Sequence, residues 1–167
     1  MTVPAEILAV TVPATLVLGI GNTLLSDDGV GVHVVAAVQA APGLRYPVRV
    51  RDGGTIGLSL LAEIEPGAGL IAVDAMELHA APGTVRVFVD AEMDRQLRGT
   101  KRSAHEVALA DLIQASDFAG IGPARRALVA IQPEVTTWGL VPTPAVAAAI
   151  PWAVAAILAL LEDWHER

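Results

Sequence analysis

The chain of 167 residues contains no cysteine. That excludes disulfides, thiolate metal ligands and cysteine nucleophiles together, and it suits a reducing cytoplasm. Aromatic residues make up only 4% of the chain. The core must therefore be built from Ala, Val, Leu and Ile, and little is left to stack against sugar rings in a two-carboxylate glycosidase. Positive charge is scarce as well. Eleven Lys and Arg against 18 Asp and Glu give a net charge of −7, so the basic face that nucleic acid requires is missing. No Gly-Lys-Ser/Thr occurs, which excludes a P-loop, and no Gly-x-Ser-x-Gly elbow occurs either.

Residues 1–14 lack a basic n-region and contain Pro4 and Pro13, so they do not read as a signal peptide. They are expected to form a loose extension ahead of one domain over residues 15–167. Pro144 to Leu161 carries no charged residue. It reaches only the lower edge of spanning length, is rich in weakly apolar Ala and contains Pro151, so a mostly buried terminal helix is expected, with no membrane partner. A soluble protein follows as the expectation; its oligomeric state is not given by the sequence, with a monomer favoured.

What the chain does have is alternation. Apolar runs at Thr15–Ile20, Val48–Arg51, Leu70–Val73, Thr84–Val89 and Ala127–Ile131 read as strands. Between and after them, Gly29–Ala41, Ile56–Ile64, His105–Ala115 and Thr143–Glu162 have helical spacing, the last with a kink expected at Pro151. Strands alternating with helices imply crossover units, hence an α/β fold: a single three-layer αβα sandwich around a mostly parallel, five-stranded twisted sheet. Pro82-Gly83 is too short a connection to hold a helix. It makes the third and fourth strands candidate antiparallel neighbours, and the sheet then mixed.

Ligands of open α/β sheets bind beyond the carboxyl ends of the strands. Three segments there carry polar residues that a plain connection does not need. Gly19-Ile20-Gly21-Asn22 leads into Ser26-Asp27-Asp28-Gly29. Ser26 or Asp27 would suffice to cap the next helix, which leaves Asp28 either as a second helix-terminal acid or as a functional one. Leu24 stands where a dinucleotide loop needs its third glycine, and two carboxylates would repel a pyrophosphate. Asp74 follows the apolar Leu70–Val73 and needs a partner there, either neighbouring backbone amides or a cation. His105 opens a helix behind Ser103, as a structural histidine or a ligand; Leu109 stands where a zincin helix would place its second histidine. Together, two carboxylates and an imidazole make an O, O, N set for a divalent cation with open positions left over. His33 reads as structural, His79 as a solvated loop residue, and His165 lies near the end of the sequence.

These residues also fall in a familiar pattern. Gly19-Ile20-Gly21-Asn22-x-Leu24-x-x-Asp27-Asp28-Gly29-x-Gly31, then Asp52-Gly53-Gly54-Thr55-x-Gly57 and Val73-Asp74-Ala75, resemble the nickel–iron hydrogenase maturation endopeptidases. Pro82-Gly83-Thr84, Ser103-x-His105 with Leu109 and Asp111-Leu112, and Ile131-Gln132-Pro133-Glu134 continue the resemblance in order, from about Thr15 to the final helix. The resemblance implies a protease that removes the C-terminal extension of the hydrogenase large-subunit precursor once nickel is inserted. It implies metal contacts at Asp28, Asp74 and His105, the trio already singled out by position, with Asp28 in place of the family's frequent Glu.

The resemblance makes Asp52 a nearby site residue, whereas locally Asp52 is equally a turn former bonding its own following amides. Residues 1–14 and Val141-Pro142-Thr143-Pro144 depart from the family pattern. The expected cofactor is nickel supplied by the substrate, in a site that zinc or another divalent ion can occupy in vitro. The alternative function is a nickel-checkpoint chaperone that docks on the precursor without cutting it; a third is a phosphate- or nucleoside-handling hydrolase, disfavoured because no Lys or Arg lies between Thr15 and Gly43.

Overall fold

The structure, a computed structural model, describes residues 12–42, 44–55, 57–99 and 103–166. Of the extension expected over residues 1–14, residues 1–11 lie outside the described residues. Five strands form one sheet: β1 (Thr15–Ile20), β2 (Val48–Gly54), β3 (Gly69–Ala75), β4 (Val85–Val89) and β5 (Arg125–Ile131), in the order β2-β1-β3-β5-β4. The first four in that order run parallel, and β4 is antiparallel to β5. The mixed sheet is as expected, but the neighbour of β4 is not. The Pro82-Gly83 turn carries the chain past β3, and β5 returns to fill the place between them.

The helices are α1 (Val30–Ala40), α2 (Ala91–Leu97), α3 (Ala104–Phe118) and α4 (Pro144–Glu166). The segment expected as a helix over Ile56–Ile64 forms a 3-10 turn at Leu58–Glu63 instead, with no fully buried residue. Without a buried stripe, nothing favours the longer α-helical repeat.

The central strands bury both faces, and their side chains divide by parity. Val17, Ile71, Val73, Val129 and Ile131 face α1 and α4; Leu16, Leu18, Leu70, Ala72 and Leu128 face α2 and α3. That is why these strands read as unbroken apolar runs. In α4 the buried positions are Val146, Ala149, Ala153, Ile157 and Leu161, three or four apart. The helix runs through Pro151 as one element. It is the one helix among the described residues long and apolar enough to cross a membrane, with mean hydropathy 2.2. Only 28% of its apolar window is buried, so the expected mostly buried helix is a helix with one buried face.

One close approach positions the site. A Cβ on Gly31 would collide with the carbonyl oxygens of Ile20 and Val73, so its absence lets the first turn of α1 rest directly on the ends of β1 and β3. Gly→Ala ordinarily stabilises a helix interior by about 1 kcal/mol. Gly31→Ala is expected to do the reverse, destabilising by roughly 1–3 kcal/mol through overpacking. The midpoint of urea unfolding measures the sign, and a midpoint above wild type would contradict the packing account.

Candidate active site

The chain crosses from β1 outward to β2 and, on the other side, to β3. The carboxyl ends of β1 and β3 therefore flank the point where strand order reverses, the crevice in which such sheets hold ligands. Asp28 comes from the loop after β1, Asp74 from the end of β3 and His105 from the first turn of α3.

The first loop is built to aim Asp28. Gly21 has φ +132, which a side chain rarely tolerates, and the chain turns there off the strand. The backbone N–H of Asn22 then donates to Asp28 Oδ2 at 3.0 Å. Neither Ser26 nor Asp27 caps α1, so the capping role open to them is not taken. Asp27 is fully buried and turns the other way. It accepts from the N–H groups of Glu134 (2.9 Å), Val135 (2.9 Å) and Thr143 (2.6 Å) and from the Thr143 hydroxyl (3.0 Å). Burial pushes its pKa up, but these bonds more than offset that and hold it below the usual carboxylate range.

Asp74 belongs by parity to the face that α3 covers, and its carboxylate is fully buried. Both of its oxygens lack a hydrogen-bond partner among the described residues. Such groups are rare in folded proteins because desolvating them is costly. The compensation on hand is His105, whose Nδ1 lies 3.7 Å from Asp74 Oδ1 and 3.8 Å from Asp28 Oδ1. Ser103 places that imidazole by capping α3: its side chain accepts from the N–H of Glu106 at 3.1 Å. Burial drives the Asp74 pKa up to about 6, although His105 acts against it. The His105 pKa is raised too, chiefly by Asp74 and against the effect of its own burial.

Donors bound to one cation at about 2.0–2.2 Å lie at most about 4.3 Å apart. The two separations from Nδ1 fall inside that limit. Among the described residues, however, no group of three His, Cys, Asp or Glu side chains is drawn closely enough together to hold a metal ion.

Asp52 is exposed, and its Oδ1 accepts from the N–H of Gly54 at 2.8 Å, the turn-forming bond. It makes no hydrogen bond or ion pair to the trio. His33 sits half-buried in α1, His79 is an exposed loop residue beside Glu77, and His165 bonds Thr15 and stacks on Tyr46. Gln132, part of the Ile131-Gln132-Pro133-Glu134 motif but assigned no role from the sequence, shapes the loop after Asp74. Its Oε1 accepts from the N–H of Leu78 at 2.7 Å, while its amide nitrogen donates to Glu77 Oε2 and to the carbonyl of Pro133. A buried glutamine just past the apolar end of β5 was the available signal. A cavity of about 280 Å³ lies away from the trio, between α2 and α3, where Asp94 and Asp117 already hold Arg126.

The family model described as hydrogenase maturation protease matches residues 32–160. The hydrogenase expression/formation protein HupD of Rhizobium leguminosarum bv. viciae is 36% identical over 165 residues, covering 98% of this chain and 82% of that protein. The hydrogenase 2 maturation protease of Escherichia coli is 38% identical over 149 residues, with 89% and 90% covered. Among solved structures, the hydrogenase maturating endopeptidase HybD from E. coli superimposes with a TM-score of 0.84 at 36% identity, covering 90% of this chain and 93% of that one. The chain belongs to the hydrogenase maturation proteases and is a peptidase.

Proposed function

We propose that this peptidase removes the C-terminal extension of the precursor of a nickel–iron hydrogenase large subunit after nickel insertion, and that Asp28, Asp74 and His105 take hold of the nickel the precursor carries. One observation carries the reading: a fully buried carboxylate, Asp74, left without a hydrogen bond and facing an imidazole beside a second carboxylate. Nickel as cargo supplies the missing positive charge, and a precursor without it leaves the site uncompensated. Metal loading then precedes cutting for an electrostatic reason.

The protein's own contribution is grip and proton handling. His105 must release its Nδ1 proton to ligate, and Asp74 must be ionised. Hydrolysis joins water oxygen to the scissile carbonyl carbon and breaks the C–N bond. The proton lost by the water passes to a carboxylate and on to the leaving amine. Asp28, more open to solvent than Asp74 at 18% against 0% side-chain exposure, is the carboxylate we assign to that role. The cysteine-free composition suits work on the precursor in a reducing cytoplasm.

His105→Ala and Asp74→Asn are expected to fold normally and to slow tail removal at least about 100-fold, read as the mass of the large subunit after incubation with nickel-loaded precursor. Cutting at wild-type speed by either variant would exclude the trio. Precursor that stays bound and uncut by the wild-type protein would instead favour a checkpoint chaperone.

A second expectation concerns stability without metal. The folded pKa of Asp74, about 6, lies above its ordinary value of 3.8. Above pH 6 the group is ionised in both states, and its charge opposes folding by up to about 3 kcal/mol. That penalty fades as pH falls from about 6 to 4. Asp74→Asn should therefore raise the denaturation midpoint at pH 7.5 and lose most of that advantage near pH 4. A variant less stable than wild type at pH 7.5 would show that the compensation His105 gives Asp74 outweighs the cost of its burial.

A further inference from the structure

Residues 134–143 form a loop whose backbone is tied down and whose apolar side chains are not. Beyond the four bonds to Asp27, the Ser26 hydroxyl donates to the Thr137 carbonyl at 3.0 Å, and the Ser26 N–H donates to the Gly139 carbonyl at 2.8 Å. The Gly139 N–H donates to the Leu24 carbonyl at 3.0 Å, and the Asp27 N–H to the Val135 carbonyl at 3.0 Å. Ser26 adopts φ +51 to make this seam, a left-handed conformation costly for a residue with a side chain. Yet Trp138, Leu140 and Val141 are 75%, 64% and 72% exposed. Leu24, which the seam sets beside Gly139, is exposed too.

A loop held this firmly is not held by its own apolar packing. Exposed apolar side chains on a fixed backbone are the mark of a surface prepared for a partner, because the ordering cost is met before binding. The seam also joins this loop to Asp28 through one peptide bond, since Asp27 is its buried anchor. The loop's anchor is thus the sequence neighbour of the carboxylate to which a precursor would bring nickel. The stretch from Gln132 to Val146 has a single charged side chain, Glu134, so attraction there is apolar and not ionic.

We propose that the loop from Glu134 to Thr143, with Leu24, is the docking platform for an apolar stretch of the precursor chain adjoining its scissile bond. This rests on the reading of the trio as the cutting site, and binding can be measured apart from cutting. On purified nickel-loaded precursor, Trp138→Ser combined with Leu140→Ser should weaken binding about tenfold or more and raise KM alike, with the loss in KM and not in kcat. Phe118→Ser removes a more exposed aromatic about 20 Å along α3 from His105 and should leave binding unchanged. Wild-type affinity should change less than about threefold between about 50 mM and 500 mM salt, as apolar contact predicts.

Unchanged binding by the double variant overturns the platform and leaves the trio untouched; the trio fails through another readout, normal cutting by His105→Ala. Self-association of wild type that the double variant loses, with precursor affinity unchanged, assigns the loop to a second copy of this chain and also overturns the proposal.

Discussion

The carboxylate of Asp74 is the constraint around which the rest of the site is arranged. It stands at the end of a strand buried on both faces, it has no hydrogen-bond partner among the described residues, and its charge is expensive there. An imidazole at 3.7 Å relieves part of that expense, but at that distance it leaves both oxygens without a hydrogen bond. A protein whose only demand was stability would place a valine at this position. Retaining the acid makes sense if the missing positive charge is delivered by what the protein acts upon.

The fold provides the setting for that charge with few parts. Parallel pairing of β1 and β3 puts their carboxyl ends side by side, and Gly31 lets α1 sit down upon them. The loop between β1 and α1 then has two consecutive acids with opposite duties. Asp27 is sunk into the protein and fastens residues 134–143 in place, whereas Asp28 looks across at His105. The two acids differ in partner and in burial though they are adjacent in the chain.

Much of this was legible before the fold was known. The five apolar runs became the five strands, because strands covered on both faces leave an uninterrupted apolar record. Position beyond strand ends, and at a helix start for His105, made Asp28, Asp74 and His105 the candidates, and the structure brings the His105 imidazole within 3.8 Å of both carboxylates. Other features were hidden for physical reasons. The partner of β4 depends on where β5 inserts, which no local pattern encodes. The seven-residue α2 buries only Met93 and Leu97, one i,i+4 pair, too little periodicity to register. Leu58–Glu63 has leucines at helical spacing but tightens into a 3-10 turn. The direction of Asp27 was not legible either, because its partners are more than a hundred residues away in the chain.

The most direct test asks what surrounds the nickel when precursor and peptidase meet. Nickel K-edge absorption, recorded on nickel-loaded precursor alone and on a freeze-quenched mixture with the peptidase, reports the ligands. The account predicts that the mixture gains one imidazole nitrogen and carboxylate oxygen scattering near about 2.0–2.2 Å, and that neither appears with His105→Ala and Asp74→Asn combined. A nickel spectrum identical with and without the wild-type protein, under conditions where the tail is being removed, would contradict it.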